Sequence, residues 1–68
     1  MAMNTTSALR MIQIATEDRG PGAEVYFANS DEKSAVRRLA RKGLVKIRET
    51  SERDAGLKVI YAFLVSPE

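Results

Sequence analysis

Cysteine and histidine are both absent from this 68-residue chain. Without cysteine there are no disulfides and no thiolate metal ligands, and a cytosolic setting is the default. Without histidine the commonest general base and the commonest metal ligand are missing, which leaves only carboxylates for such work. Long apolar runs are also lacking, since none approaches the roughly 20 residues that a membrane span requires. The N-terminal MAMNTTSALR has neither the basic region nor the long apolar region of a signal peptide. A soluble, cytoplasmic protein without membrane association is therefore expected. At this length a single domain spans residues 1–68, with 1–5 and 66–68 as flexible ends. Such a domain buries only roughly 60% of its unfolded surface, which leaves little room for an enclosed active site and favours association between copies.

Catalysis has few candidates. Glu17, Asp18, Asp31 and Glu32 fit helix ends, Ser7 and Ser30 have no histidine to activate them, and GPG at 20–22 lacks the Gly-Lys-Ser/Thr continuation of a phosphate loop. The expectation is a non-enzyme with no metal, cofactor or small-molecule ligand.

The chain does have a lopsided charge. It carries 11 Lys+Arg against 9 Asp+Glu, yet KSAVRRLARKGLVKIR at 33–48 holds Lys33, Arg37, Arg38, Arg41, Lys42, Lys46 and Arg48 and no acid. That segment is +7, and everything outside it sums to −5. A surface polarised in this way orients a molecule towards a polyanion.

Helical signals flank this segment. Thr5, Thr6 or Ser7 is suited to cap a helix over ALRMIQIATED, which Gly20 and Pro21 end. Its apolar residues Ala8, Leu9, Met11, Ile12, Ile14 and Ala15 spread over roughly 220° of a wheel. A helix in the middle of the core and a helix with a second, dimer-forming side both fit that spread. GAEVYFA at 22–28 fits a strand or a turn or two of helix, with Phe27 and Val25 or Tyr26 in the core. NSDE at 29–32 starts a second helix, with Asn29 or Ser30 as cap and Asp31 and Glu32 in the first turn. It runs to about Lys42 and ends at Gly43. Ala35, Val36, Leu39 and Ala40 share one side, and Ser34, Arg37, Arg38, Arg41 and Lys42 share the other. VKIRET then alternates as a half-buried strand, SERDAG reads as a polar turn, and LKVIYAFLV as a second strand of an antiparallel hairpin. That second strand is apolar on both faces, so both need a cover.

Taken together, this order of elements and the phrase AVRRLARKGLVKIRE at 35–49 resemble the winged helix-turn-helix family of transcriptional regulators, over about residues 7–65. The resemblance implies an α+β fold: a small winged helix-turn-helix domain of two or three helices followed by a β-hairpin wing. It implies a recognition helix at about 30–42, with Leu39 and Leu44 as core anchors, Gly43 as helix stop, and Ser34, Arg37, Arg38 and Arg41 facing DNA. Sequence-specific binding of double-stranded DNA by a homodimer is the corresponding function. Lys33 belongs to the same basic run, Lys42, Lys46 and Arg48 are suited to phosphates, and Arg53 is the one basic residue at the wing tip. Glu49, Glu52 and Asp54 in that wing argue against a wing that grips phosphate. The four aromatic residues lie apart from the arginines, which favours duplex over single strands. A different class also fits: a protein-binding adaptor for an acidic partner. The broad side of helix 1 and the side of Ile60 and Leu64 are the expected dimer surfaces.

Overall fold

The computed structural model describes residues 4–65. Its elements run α1 (Thr5–Arg19), β1 (Val25–Phe27), α2 (Ser30–Arg41), β2 (Val45–Asp54) and β3 (Leu57–Leu64). This is a small α+β domain of two helices and one antiparallel sheet in the order β1-β3-β2. Among the described residues no helix is long and apolar enough to cross a membrane. Only two residues separate β1 from α2. The stretch that fitted either a strand or a helix is thus a short strand, and two helices form where two or three were expected.

α1 starts three residues before the ALRMIQIATED stretch, and its cap lies one residue before the earliest of the three candidates. Asn4, in an extended conformation, accepts a 2.8 Å hydrogen bond from the Ser7 backbone N–H. Asparagine caps at least as well as Ser or Thr, so Thr5, Thr6 and Ser7 become the first turn. Asn4 and Thr5 are therefore part of the helix end rather than a flexible terminus, while residues 1–3 and 66–68 of the expected ends lie outside the described residues. α2 follows its signals: Asn29 accepts from the Asp31 N–H at 2.8 Å, and Asp31 and Glu32 occupy the first turn. Gly43, at φ 79°, takes the left-handed turn that lets the chain reverse into β2.

One face of the sheet builds the core. In-register rows run Val25–Ala62–Ile47 and Phe27–Ile60, with Val45 against Leu64. Ala8 and Ile12 of α1 and Ala35, Val36 and Leu39 of α2 close over them. Ile60 is 1% exposed and Leu64 packs against the same cluster. This side of β3 is therefore the interior and not a dimer surface, because it is the side the helices cover. Leu44 is 44% exposed: it alternates with buried Val45 and so leaves the core, contrary to its expected role as an anchor. Tyr26 likewise alternates with Phe27 and faces out. α1 buries only Ala8 and Ile12 fully, and Met11 and Ile14 stay exposed.

The hairpin is longer than its composition implies. The polar SERDAG is not a six-residue turn, because Ser51–Asp54 continue β2 and only Ala55 and Gly56 form the reversal. Both have positive φ, 52° and 82°, the pairing that matches the twist of adjoining strands in a two-residue turn. Between Glu49–Ile60 and Arg53–Lys58 the register slips, so that Thr50, Ser51 and Glu52 stand opposite Val59 alone. Thr50 fastens this bulge by donating its hydroxyl to the Val59 carbonyl at 2.8 Å and accepting from the Glu52 N–H at 3.2 Å. Charges and a bulge along β2 also blunt the open edge of the sheet.

Two stability measurements check these assignments. Leu39→Ala should cost about 2–5 kcal/mol in thermal or chemical denaturation, because it empties a fully enclosed site. Ala55→Asn should raise the melting temperature, since Asn tolerates the left-handed region that costs an ordinary residue about 1–2 kcal/mol.

Candidate nucleic-acid interface

The seven basic residues of 33–48 do not share one surface. α2 buries Ala35, Val36 and Leu39 and turns Ser34, Arg37, Arg38 and Arg41 to solvent, with Lys42 exposed at its C-terminal cap. These side chains form a cationic face with no acid contributed from its middle or last turn. Two of them, Arg38 and Arg41, lie in the last turn, where positive charge also offsets the negative end of the helix dipole. A shallow groove lined by Arg37, Ala40, Arg41 and Ile47 runs between α2 and β2.

Lys46 and Arg48 point the other way. They alternate with Val45 and Ile47, which face the helices, so both stand on the outer face of the sheet. Arg48 is fully engaged there. Its Nε and Nη2 donate to Glu24 Oε2 and Oε1 at 2.8 and 3.0 Å, a bidentate fork, and its guanidinium lies 4.5 Å from the centre of the Tyr61 ring. Tyr26, Tyr61 and Arg48 form one in-register row across the three strands. On the outer side of β3 the protein's own arginine lies over Tyr61, while Leu57 stays exposed.

Other members of the expected set also have internal duties. Lys33 Nζ donates to the Lys58 carbonyl at 2.9 Å. Arg53 Nη1 donates to the Gly56 carbonyl at 3.0 Å, bracing the turn. Arg37 Nη2 lies 3.8 Å from Glu49 Oε1, a loose ion pair between exposed groups. Ser34, Arg38, Arg41 and Lys42 are exposed and, among the described residues, make no side-chain hydrogen bond or ion pair.

The acids of the hairpin have partners as well. Glu49 faces Arg37, Tyr61 donates its hydroxyl to Glu52 at 3.1 Å, and Tyr26 donates a longer bond of 3.4 Å to Asp54. Glu24 and Glu49 were not foreseen as partners. The strand alternation of 45–48 would have placed Arg48 opposite the α2 side, but only the register identifies the residues that meet it.

Charge states follow from these contacts. The Arg48 fork lowers the Glu24 carboxyl below its usual range and raises the Arg48 guanidinium in turn. Tyr61 is raised, first by the hydrogen bond it donates to Glu52 and then by desolvation. Among the described residues no group of three or more metal-binding side chains occurs. Comparison of the chain with protein-family models, curated proteins and solved structures finds no significant match.

The two shifts act at opposite ends of the pH scale. A depressed Glu24 adds stability above the ordinary carboxylate range and loses it as pH falls through the folded value; a raised Tyr61 adds stability that disappears as pH climbs through its own folded value. Spectrophotometric titration of Tyr61, read in a Tyr26→Phe background, should find its phenol ionising above the ordinary range, and Glu52→Gln should bring it down. A Tyr61 phenol that Glu52→Gln leaves unmoved would contradict the Tyr61–Glu52 bond.

Proposed function

We propose that the chain is a small DNA-binding protein of winged-helix type that places the exposed face of α2 in the major groove of duplex DNA, in the manner of a transcriptional regulator. The observation that carries this reading is the face itself: Ser34, Arg37, Arg38, Arg41 and Lys42 project from one rigid helix, and three of the four cations have no acidic partner among the described residues. An α-helix fits the major groove, and an arginine there can donate twice to guanine O6 and N7. Ser34, short and near the start of the helix, permits close approach, and the terminal cations suit phosphates. The element order α1–β1–α2–β2–β3 with sheet order β1-β3-β2 is compatible with a winged-helix topology in which the helix ahead of the recognition helix is replaced by the short link from β1.

The occupied cations narrow the binding surface. Arg48 is held by Glu24, Lys33 and Arg53 brace the backbone, and Lys46 stands behind the sheet. Arg37, Arg38, Arg41 and Lys42 remain. The hairpin is then a brace for α2 rather than a gripping wing, which agrees with its acids.

A second reading, an adaptor that docks an acidic protein on the same face, is favoured by Glu49. A carboxylate beside Arg37 opposes phosphate but is suited to selecting among mixed-charge partners.

Fluorescence anisotropy of a labelled duplex across salt concentrations separates the two. DNA binding through three or four cations predicts a log K against log salt slope of about −3 to −4. Arg38→Ala or Arg41→Ala should reduce that slope by about 1 if the residue meets phosphate, or cost about 1–3 kcal/mol at a preferred site only if it reads a base. Lys46→Ala should change nothing. Absence of binding at low salt would favour the adaptor.

A further inference from the structure

α1 and α2 treat solvent differently. Every exposed position of α2 is polar or charged, whereas α1 leaves Met11 40% and Ile14 46% exposed. Ile14 lies about 160° around the helix from buried Ile12, so it points away from the core. Beside it runs a shallow groove lined by Arg10, Gln13, Ile14, Thr16 and Glu17, with Leu64 of β3 as its far wall. Arg10 and Glu17 bracket Ile14 on this face, two turns or about 10.5 Å apart. Neither takes part in an ion pair among the described residues.

We propose that this face of α1 is the contact between two copies of the chain, packed antiparallel about a two-fold axis at the level of Gln13 and Ile14. The spacing is self-complementary. Glu17 is seven positions after Arg10, and their midpoint falls between Gln13 and Ile14, so the antiparallel arrangement sets Arg10 opposite the partner's Glu17, and symmetry repeats the pair. The two Ile14 side chains meet near the axis, whereas Met11 faces a separate groove beside Tyr26, Ala28 and Glu32. A parallel pairing would instead set Arg10 against Arg10 and Glu17 against Glu17. Antiparallel packing also places each helix dipole favourably against the other. The energy comes from covering Ile14 of both copies, because exposed ion pairs contribute little; Arg10 and Glu17 choose the orientation and register. Arg10 at one end of the patch and Glu17, with exposed Asp18 next to it, at the other match an antiparallel copy of the same face better than a surface of single sign would. The proposal is independent of the nucleic-acid reading, since none of the cationic face of α2 enters it.

Sedimentation equilibrium of the full chain, carried to about 1 mM so that a weak interface registers, tests it. The wild-type protein should show a reversible monomer–dimer equilibrium. Arg10→Glu and Glu17→Arg should each weaken association by roughly tenfold or more, because each places like charges opposite one another twice. The double variant R10E/E17R restores opposite charges and should return to within roughly threefold of the wild type. Ile14→Ser should abolish the dimer yet keep a cooperative melt, since the side chain lies outside the core. A wild-type protein that stays monomeric throughout, a dimer indifferent to the single changes, or a double variant no better than either single one would overturn the proposal.

Discussion

β3 is the constraint on which the rest depends. It is hydrogen-bonded on both sides, to β1 and to β2, and its Ile60 and Ala62 lie at the bottom of the core. Because the side-chain period of a strand is two, fixing those residues inward fixes the facing of every paired residue. Val25, Phe27, Val45 and Ile47 turn towards the helices, while Tyr26, Lys46 and Arg48 turn away. A slip of one residue would bury Arg48 and expose Ile47. The register of β3 therefore decides which basic residues can serve α2 and which cannot.

This constraint divides the positive charge. In the sequence, residues 33–48 form one cationic block; in the fold, the sheet lies between its two halves. The α2 half stays open to solvent. In the β2 half Arg48 is spent on the sheet, held by Glu24 and lying over Tyr61, while Lys46 stays exposed on the outer face. The exposed Arg48 guanidinium finds its partner in Glu24, which reaches it from the approach to β1. Arg19 holds that approach, donating from Nη2 to the Glu24 carbonyl at 2.7 Å. The acids of the hairpin also have partners on this face, since Glu52 and Asp54 accept from Tyr61 and Tyr26, the two tyrosines that share the Arg48 row.

The parts legible in the sequence are those set by local chemistry. α2 carries an Asn cap, acids in its first turn, a clean apolar stripe and a glycine stop, and each of these acts within a few residues. β1 was ambiguous because three residues are too few for periodicity; only pairing with β3 makes it a strand. The end of β2 reads as a loop because Ser, Glu, Arg and Asp are poor strand formers, yet a two-residue turn at Ala55–Gly56 draws them into the ladder. Ile60 was expected outside because a strand apolar on both faces does not announce which face is inside, and Leu44, in the bend before β2, was expected in the core only from the resemblance. Of the candidate site, the α2 residues were legible from the wheel. Arg48, Lys33 and Arg53 were not separable from them, because their partners come from elsewhere in the chain or from backbone carbonyls.

The central claim is that the sheet splits the basic segment into a binding half and a structural half. Backbone NMR of the labelled protein, titrated with a duplex, tests it most directly. The account predicts shift changes at Ser34, Arg37, Arg38, Arg41 and Lys42, with Lys46, Arg48 and Tyr61 unmoved. Changes centred on the outer row of Tyr26, Tyr61 and Arg48, with α2 silent, would contradict it.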